Sequence, residues 1–151
     1  MTYAAFRSIG AYIPSKIMTN ADFEKIIDKS DEWITKRTGI KERRISEVDE
    51  ASSDLGARAA QVAIDRAGIS KEEIDLIICA TVTPDYLCMP STACLISSKI
   101  GLPNVMAFDI SAACTGFVYA ISIAKAFIES GMKKNVLIIG AETYSSILDY
   151  T

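Results

Sequence analysis

Residues 105–141 run VMAFDISAACTGFVYAISIAKAFIESGMKKNVLIIGA, and the order of patterns within them decides the fold class. Val105 to Ile110 reads as a short strand and Asn135 to Ala141 as a buried one. Between them, Thr115 to Ser130 reads as a helix, closed by Gly131. Phe117, Val118, Ala120, Ile121, Ile123, Ala124, Phe127 and Ile128 cover most of its circumference. Only a thin stripe of Thr115, Tyr119, Ser122 and Glu129 is polar, with Lys125 beside it. A helix so apolar belongs at the centre of a structure rather than at its periphery.

Working outward, the same alternation recurs. Leu76 to Thr81 (LIICAT) is a continuous apolar run, as a strand covered on both faces requires. Pro90 to Ile100 is expected to be helical, with Pro90 in the first turn. Ser52 or Ser53 is expected to cap a helix that ends at Ala67, with Gly68 left-handed behind it. On that helix Leu55, Ala59, Val62, Ala63 and Arg66 share a mostly small, apolar face. Nearer the start, Ala4 to Ile13 reads as a strand ended by Pro14. Asn20 suits the cap of a short helix reaching about Lys29, and Ser30 the cap of one ending near Gly39. Lys41 to Ile45 reads as a short extended segment. The order βα…αβαβαβ calls for an α/β fold with a mostly parallel sheet and helices on both faces.

Several function classes drop out. No G-x-G-x-x-G or G-x-x-x-x-G-K-[ST] follows a strand, and G-x-S-x-G is absent. The formal charge of −3 argues against general nucleic-acid binding, and no apolar run reaches membrane-span length. The start of the chain has no signal-peptide pattern, so a soluble cytoplasmic protein is expected. Lys36, Arg37, Lys41, Arg43 and Arg44 form a local basic cluster, ordinarily a solvated turn. The chain has four cysteines, no C-x-x-C pair and no histidine, so no structural zinc site is expected and no Cys-His pair can be built from it. Cys79 and Cys94 read as small core residues.

Cys114 is different, because it falls at the junction of a buried strand and a central helix. Free N–H groups and the helix dipole there favour a thiolate. The small residues Ala112, Ala113 and Gly116 leave room for a substrate, and the Cys114 N–H is placed to hold a developing oxyanion. The helix N-terminus is expected at the bottom of a pocket. The ordinary alternative is an inert buried cysteine.

The segment DISAACTGFVYA resembles the nucleophile segment of β-ketoacyl-acyl carrier protein synthase III enzymes. So do Ile9–Pro14, Thr19–Glu24, the Asp31-Glu32-Trp33-Ile34-Thr35-Lys36-Arg37-Thr38-Gly39-Ile40-Lys41-Glu42-Arg43 string, Pro90–Cys94 and Gly140-Ala141-Glu142, in order. The resemblance spans essentially all 151 residues. It implies a thiolase-like, layered αβα fold with a mostly parallel mixed sheet. Residues 1–151 would be the first of two duplicated halves, with four of five strands present and the fifth just past Thr151.

The resemblance also implies an activity. Cys114 would take an acyl group, usually acetyl, from acyl-coenzyme A, and condense it with decarboxylating malonyl-acyl carrier protein to 3-oxoacyl-acyl carrier protein. A histidine and an asparagine from the second half would assist, so this half alone is expected not to condense. No permanently bound cofactor is implied; acyl-coenzyme A is a substrate, and the enzyme is a homodimer. Trp33 and Arg37 match positions that contact the coenzyme A nucleotide, where an indole face stacks on adenine and a guanidinium pairs with phosphate. Their ordinary alternatives are a core aromatic and an ion pair with Asp31 or Glu32. Lys29 stands where related enzymes carry a small polar residue. Met89 matches a residue that reaches across the dimer to line the partner's acyl pocket. Two alternatives remain open: a quinolone- or polyketide-priming synthase, and a non-catalytic fragment that binds acyl groups.

Overall fold

The computed structural model describes residues 2–149. In chain order the elements are β1 (Lys16–Thr19), α1 (Asn20–Phe23), α2 (Asp31–Thr38), β2 (Glu42–Ile45), α3 (Ser52–Ala67), β3 (Leu76–Ala80), α4 (Thr92–Lys99), β4 (Met106–Ile110), α5 (Gly116–Glu129) and β5 (Val136–Gly140). They divide between two compact units. One comprises residues 1–12 and 51–142, the other residues 13–50 and 143–151.

The larger unit is an α/β layer structure on a parallel sheet ordered β4-β3-β5. All five residues of β3 are buried, as its unbroken apolar run predicts. Leu76 pairs with Met106 on one side and Val136 on the other. From the central β3 the chain steps to β4 on one edge, then crosses to β5 on the other. The change of direction sends the connecting helices to opposite faces. Ile77, Cys79 and Ile139 pack with Ala60 and Ile64 of α3 and Ala93 and Ile96 of α4. Leu76 and Ile78 face the other way, onto Ala120 and Ala124 of α5.

The first segment corrects the sequence reading. Residues 4–13 form no strand, because among the described residues no strand pairs with them. Instead the part within this unit lies along α3. Ser8 Oγ donates to Ala63 O at 2.6 Å, and Arg66 Nη1 donates to Ile9 O at 2.8 Å. Gly10 makes this possible: a Cβ there would stand 2.3 Å from Ala59 O and 2.4 Å from Ala63 N. The small face of α3 expected from the sequence is therefore real, and this segment occupies it. Among the described residues the parallel sheet accordingly has three strands rather than four.

Helix starts were misplaced by a residue or two. Ala51 is the N-cap residue of α3, where Asp54 Oδ2 accepts from the Ala51 N–H at 3.1 Å. Ser52 and Ser53 are buried in the first turn instead. Ser91, not Pro90, precedes α4, and its side chain accepts from Cys94 N. Cys94, whose Sγ donates to Ala107 O of β4 at 3.7 Å, is exposed, not a core residue. The left-handed Gly68 (φ 62°) closes α3 as expected.

The smaller unit holds an antiparallel β1–β2 ribbon and two short helices. Lys41 to Ile45 was anticipated as extended, and its core is β2. Asn20 is not the cap of α1. Thr19 is, in a capping box with Asp22, and α1 ends at Phe23 rather than near Lys29. Asn20 is buried because it serves as a hub. Its amide donates to Asp31 Oδ1 (2.6 Å), Thr35 Oγ1 (3.2 Å) and Ile40 O (2.8 Å), and its Oδ1 accepts from Arg43. Arg43 also covers the Phe23 ring at 4.6 Å, so the basic cluster is partly structural. Helix α2 begins at the Ser30 cap and ends at left-handed Gly39 (φ 71°), as read from the sequence. Among the described residues no helix is long and apolar enough to cross a membrane.

Candidate functional site

Parallel topology puts the carboxyl ends of β3, β4 and β5 on one edge of the sheet. Beyond β3 the chain turns toward α4, on one face. Beyond β4 it turns toward α5, on the other. Adjacent strands whose exits diverge in this way leave a crevice at their carboxyl ends, the usual ligand position in open α/β sheets. Cys114 lies in the exit from β4.

The exit is a tight turn. Ala113–Thr115 forms one 3-10 turn before α5, and Thr115 N donates to Ala112 O at 3.2 Å. Ala113 adopts φ 46°, the left-handed region that side chains other than glycine avoid. That conformation was not foreseen. Gly116 lets the turn sit against β3, since a Cβ there would be 3.2 Å from the Ala80 Cβ. Cys114 itself is exposed. It is not at the bottom of a pocket, because the outer residues of α5 beside it, Phe117, Val118 and Tyr119, are exposed too.

Two carboxylates that sequence reasoning passed over hold this edge together. Asp109, inside β4, accepts from Thr92 N and Ala93 N, both at 2.7 Å. It fixes the start of α4 to the strand that leads to Cys114. Glu142, two residues past β5, accepts from Val82 N at 2.9 Å and Thr83 N at 3.1 Å. An acidic residue within an apolar strand, Phe108-Asp109-Ile110, was the available signal for the first. Cys79 lies buried in β3, and burial pushes its thiol far up, with Asp109, Glu142 and Asp85 adding to the effect.

The other predicted residues fall elsewhere. Met89 is 81% exposed in the β3–α4 loop. Trp33 and Arg37 belong to the smaller unit, on α2. Trp33 is 40% exposed, so it is not a core aromatic. Arg37 does not pair with Asp31, which is engaged by Asn20 and Thr35. Its guanidinium lies 4.1 Å from the Trp33 ring centroid, and Lys29 Nζ lies 5.4 Å from it. An indole flanked by two cations suits a ligand that is aromatic and anionic at once. All four cysteines are free, and among the described residues no cluster suits a metal ion.

A family model described as 3-oxoacyl-[acyl-carrier-protein (ACP)] synthase III matches residues 108–151. The chain is 83% identical over all 151 residues to a β-ketoacyl-[acyl-carrier-protein] synthase III from Aliarcobacter butzleri, covering 45% of that relative. A crystal structure of 3-oxoacyl-[acyl-carrier-protein] synthase III from Aquifex aeolicus superimposes with a TM-score of 0.92 at 51% identity. That match covers 99% of this chain and 47% of the other. The priming β-ketosynthase of the R1128 polyketide pathway gives 0.93 at 35% identity, over 99% of this chain and 44% of that one. The chain thus spans less than half the length of these relatives.

Proposed function

Because this chain belongs to the 3-oxoacyl-[acyl-carrier-protein] synthase III family, we propose that it carries the acyl-accepting nucleophile of an initiating condensing enzyme of fatty-acid synthesis, and that the nucleophile is Cys114. The observation that carries this reading is the exposed cysteine in the β4–α5 turn, at the carboxyl edge of the parallel sheet. The Cys114 sulfur attacks the carbonyl of acyl-coenzyme A, the Cys114 amide faces the developing oxyanion, and the coenzyme A thiol leaves. Malonyl-acyl carrier protein then loses carbon dioxide. Its carbanion attacks the acyl-cysteine, the C–S bond breaks, and 3-oxoacyl-acyl carrier protein departs. Residues 1–151 are the first of two halves in this reading. A histidine and an asparagine of the second half assist the carbanion step, so residues 1–151 alone do not condense.

In the same reading the coenzyme A nucleotide meets α2. Its adenine stacks on the exposed Trp33 ring, and its phosphates pair with Arg37. Met89 lines the partner subunit's acyl pocket in a cytoplasmic homodimer. A polyketide-priming synthase is the second reading, favoured by the 0.93 superposition on such an enzyme; the greater identity to the fatty-acid enzymes favours the first.

Peptide mass spectrometry after acetyl-coenzyme A treatment tests the proposal. Acetyl is expected on Cys114 and not on Cys79, Cys88 or Cys94. Transfer at an unchanged rate to Cys114→Ala would refute it. Product identity with malonyl-acyl carrier protein then separates the two readings.

A further inference from the structure

The β3–α4 loop is gripped at both ends and free in between. Glu142 takes the Val82 and Thr83 amides, the Thr83 hydroxyl at 2.5 Å and the Thr81 hydroxyl at 3.4 Å. Thr81 and Thr83 are buried, so these charge-assisted bonds are shielded from water. Ser52 Oγ donates to Thr83 O at 2.6 Å, and Asp85 accepts from Ser53 N at 2.9 Å and Ser53 Oγ at 2.5 Å. At the far end, Asp109 holds the amides of Thr92 and Ala93. Between these grips Tyr86 is 56%, Leu87 100% and Met89 81% exposed. The direction in which this apolar tip leaves the sheet is therefore set by the grips of Glu142, Ser52 and Ser53, with Glu142, on another strand's exit, making the most bonds.

We propose that Glu142 is a positioning residue which, by fixing the loop exit at Thr81–Thr83, aims the tip that carries Met89 and so sets the chain length of the acyl group accepted in the pocket that Met89 lines across the dimer. The inference rests on the acyl-transfer reading and on Met89 as a contact of the acyl chain. A glutamine at position 142 keeps the size but brings one acceptor oxygen and an NH2 group to a cluster of N–H and O–H donors. One donor or more then loses its partner.

The test uses the full-length protein, with Glu142→Gln compared against Asp75→Asn. Asp75 also grips two amides, Lys134 N at 2.9 Å and Asn135 N at 3.3 Å, but at the amino end of the sheet. Hydrogen exchange over residues 82–90 and kcat/KM for Cys114 acylation by acetyl-, butyryl- and octanoyl-coenzyme A are read together. Glu142→Gln is expected to speed exchange there about tenfold. It should shift the acetyl-to-octanoyl preference about fivefold or more, while Asp75→Asn leaves the preference unchanged at a similar loss of Tm. An unchanged preference in Glu142→Gln, or equal shifts in both variants, overturns the inference alone. A wild-type protein that accepts no acyl group at Cys114 overturns the acyl-transfer reading and this inference with it.

Discussion

The two faces of the parallel sheet are built from the same strands and finished differently. On the face toward α3 and α4, Ile77, Cys79, Ala93 and Ile96 are wholly buried, and residues 7–12 lie over α3 as a further cover. On the face toward α5, Leu76, Ile78, Ala120 and Ala124 are buried, but the outer side of that helix leaves Val118 59% exposed. A strand that is apolar throughout serves both faces equally, so the helices make the difference. Helix α3 presents small residues on two sides, one to the core and one to the covering segment. Helix α5 is apolar nearly all round and has a single described layer beneath it. Cys114 stands at the head of the less covered face. Cys79 sits in the closed one.

The largest expected contrast is chemical. Iodoacetamide should label Cys114, Cys88 and Cys94 readily, because all three are exposed. Cys79 should react only through unfolding, at a rate lower by about 10³-fold or more. Peptide mass spectrometry of a labelling time course checks this; comparable labelling of Cys79 would mean that the α3–α4 face opens as freely as the other. Next comes packing. Ile96→Ala removes a fully buried side chain that meets Gly56 and should cost about 3 kcal/mol in urea unfolding. Val118→Ala, on the exposed side of α5, should cost under about 0.5 kcal/mol. Equal costs would erase the asymmetry. Gly10→Ala drives a methyl group into α3 backbone and should cost about 2 kcal/mol. Gly140→Ala meets only the Phe117 ring at 3.1 Å, which can turn aside, and should cost less than half as much.

How much of this was legible depends on whether the signal was local. The βαβ alternation, the helix ends at Gly39 and Gly68, and the place of Cys114 in the strand-to-helix turn follow from short patterns, whereas the exposure of that turn does not. The Thr19-x-x-Asp22 capping box was equally local and was read one residue late. Ala4 to Ile13 misled for a physical reason: alternation marks an extended segment but cannot say whether a strand or a helix receives it. Only Gly10, pressed on α3, distinguishes the two. The site shows the same limit. Cys114 announces itself through its small neighbours. The grips of Asp109 and Glu142 depend on atoms brought from 16 to 61 positions away.

The smallest effect tests how the closed face is tied. Lys99, at the end of α4, donates to Asp54 Oδ1 and to Ser53 Oγ, both at 2.6 Å, joining it to the first turn of α3. On α5 the comparable pair, Lys125 with Glu129, stays within one helix, and the link beyond that helix is the Ala4 N–H, which donates to Glu129 Oε1 at 3.4 Å. Partial burial pushes the Asp54 carboxyl up, but Lys99 and the Ala51 amide outweigh it and hold the group below the usual carboxylate range. The folded state therefore releases this proton more readily than the unfolded chain does. Its stabilisation is fully present above the unfolded value, about 3.9, and fades as pH falls through the lower folded one. Both partners are about one-third exposed, so solvent screening limits the contribution to about 0.5 kcal/mol. Asp54→Asn should lower stability by that much at pH 7, and the gap from wild type should close as pH falls through the lowered folded value. Urea midpoints across that range decide it. A gap that persists at low pH would trace the loss to the helix cap rather than to the charge that links α3 with α4.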